Sequence, residues 1–144
     1  MRSTGTSIDG ALSRADATLL EDLRQLEEAI RPASGERLAE LRTRLGATRV
    51  HIAEHFRFEE ENGFMEAVRK REPRLERAIQ QLAGDHRQLT KSLDAVIKEA
   101  EAATNPNDTL RNAVREWLEH VRQHEIREND VVQDAFNFDI AAED

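Results

Sequence analysis

The stretch LRNAVREWLEHVRQHEIRE, residues 110–128, decides the fold class of this chain. Its apolar residues recur at intervals of three and four, which is the spacing of one face of an α-helix. The residues of this apolar face are Leu110, Val114, Trp117 and Val121. His124 and Glu128 then continue the same face with polar side chains. The stretch therefore predicts an amphipathic helix whose buried face changes from apolar to polar.

Three further segments have the same apolar spacing, and residues typical of turns separate the four segments. Pro73 suits the first position of a helix, and Asp108 suits an N-cap. We expect a bend in the second helix near Asn62-Gly63, where two turn-forming residues interrupt the pattern. The predicted helices are helix A from Ser7 to Ile30, helix B from Ser34 to Arg71, helix C from Pro73 to Ala102 and helix D from Asp108 to Phe136.

Four long amphipathic helices joined by short loops predict an all-α fold, an up-down-up-down antiparallel four-helix bundle. A single amphipathic helix cannot bury its apolar face, whereas four around a common axis can. The predicted organisation is a flexible N-terminus at 1–7, the bundle at 8–136 and an acidic C-terminal tail at 137–144.

The composition limits the partners of this bundle. The formal net charge of −8 opposes binding to nucleic acid phosphates. There is no cysteine, so thiolate metal sites and disulfides are excluded. No apolar run approaches the length of a membrane span or resembles a signal peptide. We expect a cytoplasmic protein, monomeric or homodimeric, without nucleic acid or membrane partners.

Polar residues interrupt the apolar faces of three predicted helices. His55 and Glu59 in helix B lie four residues apart, as do His124 and Glu128 in helix D, so each pair shares one helix face. His86 continues the apolar face of helix C. Imidazole and carboxylate groups buried together suit iron, zinc or manganese, and two matching pairs suggest two metal ions. The competing interpretation is a solvated helix face with ordinary side-chain pairing, which the continuity with the apolar residues disfavours.

Three further residues flank the proposed ligands. His51 and His120 each precede a ligand histidine by one helical turn and are predicted to lie in a second layer around the metal, or on the surface. Helices B, C and D each supply proposed ligands, and helix A is the remaining helix. Asp16 falls on the apolar face of helix A, where a ligand from that helix would lie. Its alternative role is in a capping box with Ser13 at the start of that helix.

These motifs resemble the hemerythrin-like, or HHE cation-binding domain, family. The matching segments are HFRFEEE at 55–61, GDHRQL at 84–89 and HEIREN at 124–129. The resemblance implies two iron ions joined by an oxo or hydroxo bridge, with an open position for dioxygen or a related small ligand. It implies three imidazole ligands and two bridging carboxylates, namely His55, His86, His124, Glu59 and Glu128.

The chain departs from this family in helix A, which contains no histidine. Asp16 stands where the family places one, so a site richer in carboxylate is expected, favouring ferric iron and oxidation or iron sequestration over reversible dioxygen carriage. The leading hypothesis is a protein that binds or senses dioxygen, peroxide or nitric oxide, or handles iron, more a binding protein than an enzyme. The alternatives are a mononuclear iron, zinc or manganese site and a metal-free interaction module.

Overall fold

The computed structural model describes residues 17–31, 38–61 and 63–143, with side chains up to residue 136. Within these ranges every regular element is helical, which confirms the predicted all-α class. Helix α1 is described over residues 17–29, and a short 3₁₀ turn precedes the fourth α-helix. The remaining elements are α2 Leu38–Glu61, α3 Phe64–Arg71, the 3₁₀ turn Pro73–Leu75, α4 Glu76–Ala102 and α5 Asp108–Glu143.

Side-chain contacts between α2 and α4 run in opposite directions along the two helices. Arg42, near the start of α2, donates to the carbonyl oxygens of Ala100 and Ala103 at the end of α4, each at 2.8 Å. Arg49, further along α2, pairs with Asp94, earlier in α4, at 2.7 Å. The two helices are therefore antiparallel, and Arg42 also satisfies carbonyl groups that a helix end leaves without intrahelical partners.

The pairs α4–α5 and α1–α2 are antiparallel by the same criterion. The Trp117 indole of α5 donates to the Leu89 carbonyl oxygen of α4 at 3.0 Å. Arg74, just before α4, pairs at 2.9 Å with Asp134, which lies later in α5. In α1, Asp22 contacts His51 and Gln25 contacts Arg44 in reverse order along α2. The order of contacts makes these three pairs antiparallel.

Two apolar clusters fill the bundle, and a polar layer lies between them. The larger cluster joins α1, the first part of α2, the end of α4 and the start of α5. The smaller cluster joins α3, the start of α4 and the end of α5. Phe56 belongs to the first cluster and Phe64 to the second, so the end of α2 crosses the boundary. The apolar residues predicted from periodicity that lie within the described ranges contribute to these two clusters.

The bend predicted in helix B is a break between α2 and α3. Gly63 lies between the two helices, and its backbone approaches the preceding turn closely. A Cβ atom at this position would lie 2.9 Å from both the Glu59 Cα and the Phe58 carbonyl oxygen. Only glycine fits this approach without displacing backbone atoms.

Three helix ends differ from, or refine, the sequence predictions. Pro73 occupies the first position of the 3₁₀ turn, as its fixed φ favours. Asn107, not Asp108, is the N-cap of α5, because its side-chain oxygen accepts from the Leu110 amide at 2.8 Å. Helix α5 continues beyond Phe136 to Glu143, where a tail was predicted. The predicted start of helix A, including Asp16 and its capping box, lies outside the described residues.

No helix in the described part of the chain combines the length and the apolar character needed to cross a bilayer.

Candidate metal centre

The five residues predicted to bind metal from three helices are all buried in the polar layer. Their exposed fractions are 2% for His55, 3% for Glu59, 2% for His86, 0% for His124 and 6% for Glu128. Each lies on the same face as the apolar residues of its helix, so bundle formation buries the polar groups together with the core. Buried histidine and glutamate side chains require hydrogen-bond partners or groups of opposite charge.

Four of these residues form one compact group of possible ligands. Glu59, His86, His124 and Glu128 each offer one nitrogen or oxygen atom within 4.8 Å of the others. His86 Nε2 lies 3.1 Å from Glu59 Oε1 and 3.0 Å from Glu128 Oε2. His124 Nε2 lies 2.8 Å from the same Glu128 oxygen. Two imidazoles and two carboxylates from three helices thus converge on a single small volume.

A second group adjoins the first and shares a residue with it. His55, Glu125 and Glu128 also offer atoms within 4.8 Å of one another. Glu59 connects the same two regions, because its Oε2 lies 3.1 Å from His55 Nε2 while its Oε1 faces His86. Glu59 and Glu128 therefore both lie between the two groups, where a bridging carboxylate would be required.

Carboxylates hold the outer nitrogen of two histidines. His86 Nδ1 is 2.6 Å from Glu60, and His124 Nδ1 is 3.1 Å from Asp85. When each Nδ1–H donates to its carboxylate, the Nε2 lone pair points inward. Such outer partners fix the tautomer and ring orientation of metal-binding histidines in general. Neither acid was predicted from the sequence, although Glu60 directly follows Glu59 and Asp85 directly precedes His86.

Phe56 packs against the imidazole of His86. The two rings are nearly parallel, at 8°, with centroids 3.8 Å apart. The His86 and His124 rings meet edge to face at 4.8 Å. Phe56 restricts the His86 ring through its face, while Glu59, Glu60 and Glu128 contact the ring nitrogens at its edge.

Burial and mutual contact shift the ionisation of the inner groups in opposite directions. Burial raises the pKa of Glu59 to about 10, with the His86 contact opposing and Glu128 reinforcing the change. Burial acts to raise the pKa of Glu128 too, but hydrogen bonds from His124 and His86 outweigh it and hold that pKa well below its usual range. Burial and mutual contact therefore favour the protonated form of Glu59 and the ionised form of Glu128.

The pKa of His86 is raised as well. Burial acts to lower it, but the contacts with Glu128, Glu59 and Glu60 prevail and raise the pKa of His86 to about 9. These contacts therefore favour the protonated imidazole when no metal is bound. Metal binding at such a group requires neutral imidazole and ionised carboxylate, so it releases protons.

The residues predicted to flank the ligands lie further out. His51 is partly exposed and contacts Asp22 of α1, and His120 is exposed on α5. Their assignment to a second layer stays a prediction, and Asp16 lies outside the described residues. Glu125 is the possible ligand that the sequence analysis did not identify. Its signal was the spacing of three residues from Glu128, which places both on neighbouring parts of one helix face.

The donor chemistry of this layer fits a metal cation. Imidazole nitrogen and carboxylate oxygen bind iron, zinc and manganese, and the two groups present both kinds of donor in a dry interior. Ionised carboxylates are costly to bury without a partner of opposite charge, and a cation would supply that partner. The structure thus contains a buried His/Glu cluster that could hold metal.

Comparison with known proteins agrees with this chemistry. No match was found among curated proteins or among solved structures. Residues 11–136 of the 144-residue chain match the hemerythrin HHE cation binding domain. The match spans the described bundle helices up to residue 136 and includes every residue of the polar layer. The chain therefore belongs to the hemerythrin HHE cation-binding domain family.

Proposed function

We propose that the chain is a non-haem iron protein that binds two iron ions and uses them to bind or sense dioxygen, peroxide or nitric oxide, or to handle iron. The observation that carries this proposal is that Glu128 belongs to both groups of possible ligands. Glu59 likewise contacts a histidine of each group with a different oxygen. Two adjoining groups with two shared carboxylates suit a pair of ions better than one ion.

The residues of this chain have separable tasks in that proposal. His55, His86 and His124 would supply imidazole nitrogen, and Glu59 and Glu128 would supply carboxylate oxygen to both ions. The apolar clusters shield the layer from water on its two sides along the bundle, and Glu60 and Asp85 orient two of the rings. When bound, iron supplies Lewis-acid and redox chemistry at a position open to a small ligand.

Metal content tests the proposal directly. Protein purified from iron-supplemented cells, or loaded anaerobically with Fe(II), should contain two iron ions per chain by elemental analysis. His124→Ala should lose bound iron, since it removes a fully buried imidazole of the four-residue group. Gln123→Ala is the control, an exposed residue next to His124 on the same helix, and should keep wild-type iron content.

Exposure of the loaded protein to dioxygen or nitric oxide then tests the ligand. A change in the visible spectrum that requires His124 would support small-ligand binding at iron. A loaded protein whose spectrum responds to neither gas would leave iron handling as the function. A chain that takes up no Fe(II), and gains no melting temperature from it, would instead be a metal-free interaction module.

A mononuclear site is the second candidate, and one observation favours it. Glu59, His86, His124 and Glu128 would provide a complete set of four ligands for one ion without the second group. One ion per chain at saturation, with His55→Ala leaving that ion in place, would support this reading. Parallel titrations with zinc and manganese would identify the preferred metal, since the donor set accepts all three.

A further inference from the structure

We propose that Glu125 is a metal ligand, and that it makes one of the two ion positions richer in carboxylate and more open to solvent than the other. This inference rests on the proposed two-iron function and adds to it a difference between the ions. Glu125 lies outside the repeated His-x3-Glu pattern, so the pattern assigns it no role. We call the group Glu59, His86, His124 and Glu128 the closed position, and the group His55, Glu125 and Glu128 the open position.

The two positions differ in the burial of their ligands. All four residues of the closed position are buried. In the open position His55 and Glu128 are buried, but Glu125 is only partly buried. The ratio of histidine to carboxylate ligands also differs. The closed position has two histidines and two carboxylates, whereas the open position has one histidine and two carboxylates.

A cavity reaches the open position from outside the bundle. It has a volume of about 370 Å³ and lies between the α2–α3 break and α5. Glu59, Glu125 and Glu128 all line it, so carboxylate oxygens from two helices face the same space. The remaining wall is largely apolar and consists of Phe64, Ile126, Asn129 and Val132. A hydrated cation or a small ligand can therefore approach the open position through a cavity lined by three glutamate side chains.

The chemistry of the donors predicts how the two ions should differ. Carboxylate oxygen is a hard donor that suits ferric iron and manganese, while a second imidazole suits zinc and ferrous iron as well. An ion whose ligands are in contact with solvent also dissociates more readily than an ion whose ligands are all buried. The ion in the open position should thus bind more weakly and exchange faster than the ion in the closed position.

Replacing Glu125 tests this assignment. In anaerobic Fe(II) titrations followed by calorimetry and elemental analysis, the wild-type chain should show a tight and a weaker binding event. Glu125→Gln keeps the side-chain shape but removes the charge, and should weaken the second event by more than about 10-fold, since even indirect partners of a metal contribute that much. The tight event should stay unchanged. Glu116→Gln, an exposed glutamate on the same helix, should match wild type in both events.

Release of iron to an excess of chelator gives a second readout. Wild type should release its two ions in a fast and a slow phase, and Glu125→Gln should lose the fast phase. Equal affinities and both phases in Glu125→Gln would overturn the role of Glu125 while leaving the two-iron proposal intact. Absence of iron binding in wild type would instead refute the proposed function.

The melting temperatures of the metal-free proteins check that the variants are folded. If Glu125→Gln is not folded, Glu125→Asp provides the same test, because aspartate is shorter by one methylene group and withdraws the carboxylate. Weaker Fe(II) binding in the second event of Glu125→Asp supports Glu125 as a ligand. Wild-type affinity of Glu125→Asp in that event overturns it.

Discussion

At the scale of single residues, His86 has the most constrained side chain of the polar layer. Phe56 stacks on its ring, Glu60 holds its outer nitrogen, and Glu59 and Glu128 face its inner nitrogen. A ligand that is oriented before the metal arrives loses little conformational freedom on binding. We therefore expect the metal affinity to depend on residues that never touch the ion.

Glu60→Gln is expected to weaken Fe(II) binding about 10–100-fold, the usual effect of losing an outer carboxylate partner of a metal-binding histidine. The amide still accepts a hydrogen bond from Nδ1 but lacks the charge that strengthens the basicity of the ring. Anaerobic competition with a chelator of known affinity measures this change.

The neighbouring Glu61 supplies the control for that experiment. Glu61 is exposed at the end of α2. Glu61→Gln removes one negative charge, as Glu60→Gln does. Wild-type affinity in this variant and reduced affinity in Glu60→Gln would assign the effect to the His86 contact. Equal loss in both variants would contradict it and point to long-range charge instead.

At the scale of helices, the break at Gly63 separates the part of α2 that carries Glu59 from α3. Helix α2 ends at Glu61, and Phe64 and Met65 of α3 then enter the smaller apolar cluster. Because the same break borders the cavity at the open position, its geometry matters to both stability and access.

Gly63→Ala is expected to destabilise the protein by about 1–3 kcal/mol, as overpacking against fixed backbone does. The added Cβ would lie 2.9 Å from the Glu59 Cα and the Phe58 carbonyl oxygen, and neither can move without shifting α2. Urea unfolding of the metal-free protein, followed by circular dichroism, measures this effect.

Gly46→Ala is the matched comparison within α2. A Cβ there meets nothing within 4 Å, and the position is exposed in a helix interior. Alanine should therefore stabilise the protein by about 0.5–1 kcal/mol through its higher helix propensity. A Gly63→Ala variant that is as stable as Gly46→Ala would show that the break tolerates a side chain.

At the scale of the whole molecule, the polar layer divides the hydrophobic core. The two apolar clusters stabilise the bundle on either side, while the layer between them concentrates buried histidines and carboxylates. Without a metal these groups rely on contacts with one another. The bundle should therefore be folded but less stable without its ions.

Removal of iron by a chelator is expected to lower the melting temperature by several degrees without loss of helix content. A ligand present at a hundred times its dissociation constant stabilises a fold by about 2.7 kcal/mol. Differential scanning calorimetry of the loaded and chelated protein measures the change. The chelated His124→Ala protein serves as the control, and adding Fe(II) should not raise its melting temperature as it does for wild type. Identical melting temperatures for loaded and chelated wild type would contradict a metal bound within the core.

The sequence alone determined the helices, their apolar faces and the His-x3-Glu pairs, because helical periodicity is a local property that repeats every three or four residues. It also determined that His55, His86 and His124 lie on buried faces. The ends of helices were harder to predict, since Asn107 rather than Asp108 caps α5 and only the hydrogen-bond geometry distinguishes them.

Only the tertiary structure decided which side chains from different helices meet. Glu60 reaches His86 across 26 positions of sequence and Asp85 reaches His124 across 39, and no local pattern encodes such contacts. Glu125 lies near His55 of α2 as well as Glu128 of its own helix, and the first of these neighbours belongs to another element of the fold. Periodicity gives the face of each helix, whereas the rotation and height at which helices pack determine which of those faces share one site.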